Sequence, residues 1–253
     1  MNSGKYLVPI HYKTRPSNKL LVCFPHAGGG ASTYFDFAKL ATAANSNFDI
    51  CAVQLPGHEN RFNEEAHSNI HRHTKCIADE IKSTVATDIA LYGHSLGSVL
   101  AYEVAIQIAH GEKKIYALIV SGRNGPTKKT QKEKISHLSD SDFTNALNSY
   151  GGVPKEIIEN REIMELLLPT LKKDFYAAEN YISAKENPRL SCPVLGLPSQ
   201  EDDFIDPELF RGWREVTNGE FIVKWFPGNH FYVVKNKERL FESINQFLLS
   251  VNS

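Results

Sequence analysis

Ile89-Ala90-Leu91-Tyr92-Gly93-His94-Ser95-Leu96-Gly97-Ser98-Val99 joins an apolar, strand-like run to an apolar-striped helix through the pattern G-x-S-x-G. A sharp strand-to-helix turn needs small residues on both sides of the serine. It lifts the hydroxyl above a sheet at the helix N-terminus. The plainer reading is a serine that merely caps the helix. The strand-turn-helix context favours a nucleophile, Ser95.

Outward from this turn, short apolar runs alternate with longer amphipathic ones, the pattern of strands and crossover helices in a mainly parallel sheet. Strands are expected at 19–24, 48–55, 89–92, 117–121, 193–197 and 221–226, and helices at 34–44, 70–86, 96–109, 207–216 and 237–249. Pro207 stands where a first helical turn tolerates proline, and Gly111 where a helix stop is expected. The stretch from about 124 to 190 breaks the alternation: it holds helical segments at 140–150 and 161–182 and no convincing strand. It reads as a helical lid inserted over the strand ends, where open α/β sheets place their ligands. One domain spanning 1–253 is expected, with the α/β-hydrolase fold: a mainly parallel central sheet, helices on both faces and that lid.

A serine hydroxyl needs a base to take its proton, and in α/β hydrolases the chain order is Ser, then Asp or Glu, then His. After His137 the sequence contains one further histidine, His230, in the turn Pro227-Gly228-Asn229-His230-Phe231. The acid belongs in the loop after the 193–197 strand, which offers Glu201, Asp202, Asp203 and Asp206. Asp202 is favoured to hold the far ring nitrogen of His230, although spacing alone does not separate it from Asp203. Earlier in the chain, Phe24-Pro25-His26-Ala27-Gly28-Gly29-Gly30 lacks the ending of a nucleotide-binding loop and the spacing of a dinucleotide fingerprint. It reads better as an oxyanion loop, with the N–H of Ala27 as first donor and that of Leu96 as second. His26 is read as a group that braces this loop.

Bulk properties narrow the partners. A chain of 253 residues, 42% hydrophobic, can fill one substantial core, and a net charge of −1 with 23% charged residues gives no global field for nucleic acid or a membrane surface. No run is apolar and long enough for a signal peptide or membrane span, so a cytoplasmic protein is expected. The four cysteines, Cys23, Cys51, Cys76 and Cys192, lie far apart with no paired spacing for zinc or redox chemistry. Cys23 and Cys51 read as small core residues.

These motifs together resemble the type II thioesterases that accompany nonribosomal peptide and polyketide synthases, and their relatives that release medium chains from fatty acid synthase. The resemblance runs over nearly the whole chain. It is carried by the two motifs already quoted, by Gln54-Leu55-Pro56-Gly57 with Glu59 and Arg61, by Leu167-Leu168-Pro169-Thr170-Leu171 with Asp174-Phe175 and Tyr181, and by the His230 turn. Aligning Ile205 with the apolar end of the family's G-x-x-D-x-x-V-like stretch puts Asp202 at the acid. His58 stands where the family commonly has arginine, Pro198-Ser199 replaces a usual Gly-Gly, and Lys172-Lys173 a usual Arg-Ala. What the resemblance implies is hydrolysis of acyl groups from the phosphopantetheine arm of an acyl or peptidyl carrier protein, editing misacylated or stalled carriers. The chain itself would need no cofactor and no metal, because the arm belongs to the partner. Too little chain precedes Lys19 for a carrier domain, so the carrier is expected as a separate protein and this chain as a monomer. Rival readings are a medium-chain fatty acyl thioesterase, a small-ester esterase on the same fold, and a non-catalytic binding protein. Arg123, Lys128, Lys129, Lys132, Lys134, Lys172 and Lys173 form a local excess of positive charge, read either as a carrier-docking face or as a solvated loop.

Overall fold

The computed structural model describes residues 6–12, 17–109, 111–128, 133–150, 153, 155–184 and 187–251. Seven strands form one sheet: β1 (Leu7–His11), β2 (Lys19–Phe24), β3 (Asp49–Val53), β4 (Asp88–His94), β5 (Lys114–Ser121), β6 (Val194–Leu197) and β7 (Phe221–Val223), in the order β1-β3-β2-β4-β5-β6-β7. β1 pairs antiparallel with β3, and every other pairing is parallel. The chain leaves β2 for β3 on one side and then crosses to β4 on the other. The ends of β2 and β4 therefore flank a topological switch point, the crevice where such sheets bind ligands. Phe24 lies in register with Gly93 across that pair, so the glycine-rich loop and the serine turn emerge side by side.

Helices follow the strands: α1 (Phe35–Ala43), α2 (Ile70–Lys82), α3 (Leu96–Ile108), α4 (Asp140–Tyr150), α5 (Lys155–Ile158), α6 (Arg161–Asn180), α7 (Pro207–Phe210), α8 (Tyr232–Lys235) and α9 (Lys237–Ser250). Side chains of a strand alternate between faces, and the strands here feed two cores. Leu20, Val22, Ile89, Leu91, Leu118 and Val120 pack with α2 and α3. Leu21, Cys23, Ala90, Tyr92, Ala117 and Ile119 pack with Phe37 of α1 and Phe241 and Ile244 of α9. The α4 to α6 insertion has a third cluster of its own, Ile135, Phe143, Leu147, Met164, Leu168 and Leu171. Its longest helix, α6, is capped by Asn160, whose side chain accepts the Ile163 N–H at 3.1 Å, worth about 1 kcal/mol. Pro169 deprives the same helix of one internal hydrogen bond.

The expected strands and helices are all present, with shifted ends. The 48–55 strand shortens to Asp49–Val53, the 117–121 strand begins earlier at Lys114, and the 207–216 helix is one α turn continued by a 3₁₀ segment, Arg211–Val216. Pro227-Gly228 already turns the chain after Phe226, and beyond Val223 only the bridge Ser199–Phe226 continues the last strand. β1 was not foreseen. It contains Pro9 and is only partly buried, so it lacks both the propensity and the clean alternation of a strand. Its edge position is what tolerates the proline.

Candidate active site

β4 ends at His94 and α3 begins at Leu96, leaving Ser95 as a one-residue elbow with φ 56° and ψ −116°. A non-glycine residue held there costs of order 1–3 kcal/mol and persists only when its surroundings fix it. Here they do. Ser95 N–H donates to the Ser121 carbonyl at 2.8 Å, and Ser98 Oγ lies 2.8 Å from the carbonyls of both Gly93 and Ser121. A Cβ on Gly93 would lie 2.1 Å from the Gly97 carbonyl oxygen, and one on Gly97 2.1 Å from that of Phe24. Both obstacles are backbone, so neither glycine is replaceable without moving the elbow.

His230 sits in the turn before α8. Ser199 Oγ donates to the Gly228 carbonyl and lies 3.2 Å from that of Asn229, so the serine that stands in place of a glycine braces this turn. His230 Nδ1 is 2.7 Å from Asp202 Oδ2, and Asp202 Oδ1 accepts the Phe204 N–H at 2.9 Å. A buried carboxylate beside Nδ1 keeps the proton on that nitrogen and leaves Nε2 basic. The neighbouring acids are placed otherwise: Glu201 and Asp203 are exposed, and Asp206 caps α7 through the N–H groups of Glu208 and Leu209. Phe204, Phe231 and His94 pack round the His230 ring, with centroids 4.9, 5.1 and 4.9 Å away. Burial, followed by the nearby His230 and His26, pushes the pKa of His94 well below the ordinary histidine value, so His94 is a neutral neighbour.

Ala27 lies in a turn closed by the Gly29 N–H on the His26 carbonyl at 2.9 Å, and Leu96, the first residue of α3, has an N–H with no intrahelical acceptor. His26 Nδ1 reaches the Ala27 carbonyl at 2.9 Å, the bracing contact expected of it. Gly28, at φ +75°, donates its N–H to Asp174 Oδ2 of α6 at 2.8 Å, and the same oxygen is 2.9 Å from His58 Nε2. The helical insertion is thus tied directly to the loop beside Ala27. A second tie, from the Tyr181 hydroxyl to Glu103, anchors the far end of α6 on α3.

Ser95, His230, Ala27 and His26 line one cavity, partly open to solvent, whose other walls include Leu147, Leu171, Phe175, Phe204 and Phe231. Among the described residues, no group of three or more His, Cys, Asp or Glu is arranged to hold a metal ion, and no helix is long and apolar enough to cross a membrane.

The described lysines of the basic cluster each have a partner. Lys128 pairs with Glu215 at 2.7 Å, Lys172 with Asp140 at 2.5 Å and Lys173 with Glu65 at 3.4 Å, while Lys134 bonds Asn180. Arg123 lines the cavity; Lys129 and Lys132 lie outside the described residues. Sequence reasoning missed Arg123 as a cavity residue, and missed Phe204 and Ser199 beside His230 and Asp202. For Arg123 the available signal was its place just after β5, at the same end of the sheet as Ser95.

The sheet order, the elbow serine and the carboxylate-held histidine beyond the last strand define an enzyme of the α/β-hydrolase fold. Residues 19–248 match the thioesterase domain family. The gramicidin S biosynthesis protein GrsT of Aneurinibacillus migulanus is 31% identical over 223 residues, 88% of this chain and 86% of that protein. The medium-chain S-acyl fatty acid synthase thioesterase of Rattus norvegicus is 33% identical over 224 residues, 85% of this chain and 81% of that one. The solved structure of the type II thioesterase BorB from the borrelidin biosynthetic cluster superposes with a TM-score of 0.86 at 28% identity, covering 97% of this chain and 98% of that one. The chain belongs to the thioesterase family and is a thioesterase.

Proposed function

We propose that this thioesterase hydrolyses acyl groups from the phosphopantetheine arm of acyl or peptidyl carrier proteins, in the editing role of type II enzymes in nonribosomal peptide and polyketide synthesis. The observation that carries the reading is the placing of a strained serine elbow and an Asp202-held imidazole on one mostly apolar-walled cavity, in a chain similar to GrsT and BorB over most of its length. His230 Nε2 takes the proton of Ser95 as its oxygen attacks the thioester carbonyl. The N–H groups of Ala27 and Leu96 receive the developing oxyanion. The pantetheine thiol departs with modest help from the imidazolium, because a thiol is a far better leaving group than an amine. Water, deprotonated by the same His230, then clears the acyl ester on Ser95. No step calls on a metal or redox cofactor, and the phosphopantetheine belongs to the partner.

The α4 to α6 insertion acts as a lid over the cavity, within one domain. A second reading, a medium-chain fatty acyl thioesterase, is favoured by the similarity to the rat enzyme. Intact-protein mass spectrometry of acylated carrier before and after incubation separates the two. Loss of acetyl and aminoacyl groups supports editing, whereas release confined to medium-chain acyl groups supports the second reading. Ser95→Ala should abolish multiple turnover and fluorophosphonate labelling without unfolding the protein, since alanine keeps the same Cβ at the elbow; more than trace hydrolysis would contradict Ser95 as nucleophile.

A further inference from the structure

Arg123, Glu133, Lys134 and Glu179 are charged side chains on the cavity wall that the proposed chemistry does not use, and of these Arg123 is the one whose chain neighbour abuts His230. Arg123 stands two residues beyond β5, next to Gly122, where an added Cβ would lie 3.1 Å from His230 Cε1. Its main chain is held firmly. The indole N–H of Trp213, itself fully buried, donates to the Arg123 carbonyl at 2.8 Å. The neighbouring Asn124 side chain bridges the Phe204 carbonyl and the Asp206 N–H at 3.1 and 3.2 Å.

The guanidinium is held loosely. Nη2 makes a long contact of 3.4 Å to the Tyr181 carbonyl, and no carboxylate among the described residues lies within ion-pair distance. Glu179 also lines the cavity, but its oxygens accept the N–H groups of Ile135 and Ser136 at 2.8 and 3.2 Å. Glu133, at the same cavity, is exposed. Burial brings the pKa of Arg123 down to about 10, with Tyr181 and Glu179 opposing the shift in part, so the group stays cationic at neutral pH. A cation held at a largely apolar wall with no carboxylate in ion-pair contact is costly, and a ligand that brings an anion offsets the cost. The planar fork of arginine suits a carboxylate bidentately.

We propose that Arg123 is a specificity residue that pairs with an anionic oxygen group of the substrate, the terminal carboxylate of a short dicarboxylic acyl chain. This rests on the thioesterase reading of the site. The arm's phosphate has the same chemistry, but it lies at the far end of the extended pantetheine, whereas Arg123 is one peptide from the residue that abuts His230. The site would then clear carriers loaded with a carboxylated extender and left unprocessed.

The test compares kcat/KM for malonyl and butyryl thioesters, near-isosteric acyl groups, on N-acetylcysteamine, which has no phosphate, and on coenzyme A, which has. In Arg123→Gln the malonyl-to-butyryl ratio should fall about 10²-fold on both carriers, the size expected when a hydrogen bond to a charged group is lost. Arg123→Lys should keep part of the preference, about tenfold more than glutamine does, because it retains the charge without the fork. Equal losses for both acyl groups on coenzyme A alone would support pairing with the phosphate and overturn the carboxylate assignment. Equal losses on N-acetylcysteamine, or an unchanged ratio on both carriers, would overturn the proposal. Thermal melting and fluorophosphonate labelling of Ser95 check that each variant is folded; if glutamine unfolds the protein, the lysine variant carries the test. Butyryl thioester hydrolysis by the unaltered chain, lost in Ser95→Ala, tests the thioesterase reading separately.

Discussion

Replacing Asp174 with alanine should destabilise the protein more at about pH 6 than at about pH 9, and the reason lies in His58. Nδ1 of this ring is 3.0 Å from the Pro56 carbonyl and Nε2 is 2.9 Å from Asp174, with both side chains buried. Two acceptors require two N–H donors, which only the imidazolium has. Burial alone lowers the histidine pKa, but the Asp174 hydrogen bond and charge, with the Pro56 carbonyl, outweigh it and hold the pKa above the ordinary value. The cation commonly supplied by arginine is therefore kept by a protonated histidine. Removing one partner of a buried pair costs about 3–5 kcal/mol. At about 2–4 °C per kcal/mol for a domain of this size, Tm should fall roughly 6–20 °C near pH 6. A raised folded-state pKa gives stability that is full below the unfolded value near 6.5 and is lost as pH rises through the folded value. The gap between native protein and variant should therefore narrow toward pH 9, read by thermal melting across that range. His58→Arg, with a permanent charge, should keep Tm and flatten the dependence. Since Asp174 also holds the Gly28 N–H beside Ala27, kcat for nitrophenyl acetate should drop about tenfold to a hundredfold in Asp174→Ala. A Tm gap that stays constant or widens from pH 6 to pH 9 would refute the reasoning.

Asp202→Asn should lower kcat by about four orders of magnitude by releasing the wrong tautomer of His230, while Asp203→Asn, at an exposed position, should stay near the unaltered rate; the reverse order would move the acid by one residue. Joining Glu65→Cys to Lys173→Cys with a short bismaleimide, in a Cys76→Ser background, pins α6 to the 59–66 segment across an ion pair of 3.4 Å. Hydrolysis of acyl-carrier should slow more than that of nitrophenyl acetate, and equal losses would point to a damaged centre instead of a blocked gate.

What the sequence disclosed follows from which interactions are local. The elbow is written in consecutive residues, Gly93, Ser95 and Gly97, even though only Gly93 meets its obstacle within the turn while Gly97 faces Phe24 and Ser95 bonds Ser121, and the strand alternation of Leu20 to Phe24 assigns each side chain to a face. Asp202 needed help: four acids share one loop, and only the fold reveals that Asp202 is buried against His230 while Asp206 caps a helix. The family alignment supplied that choice ahead of the geometry. Arg123 and the lysines were read together as surface charge, but partners such as Glu215 and Glu65 lie 87 and 108 residues away in the chain. Pairings across such distances leave no local pattern. His58 was legible only as a departure from arginine; its two acceptors come from Pro56, two residues back, and Asp174, on a helix far along the chain.

The separate core of the helical insertion bears on how such enzymes diverge. Leu147 and Leu171 belong to that core and also form part of the cavity wall, while the elbow and His230 are framed by the sheet and its loops. Substitutions at Leu147 and Leu171 can alter the room offered to an acyl chain without touching Ser95 or His230, whereas Asp174 of the same insertion holds the loop beside Ala27. Selection on chain preference thus has positions of its own within the insertion, and a lineage can retune its substrate there so long as the Asp174 tie to the Gly28 loop is kept.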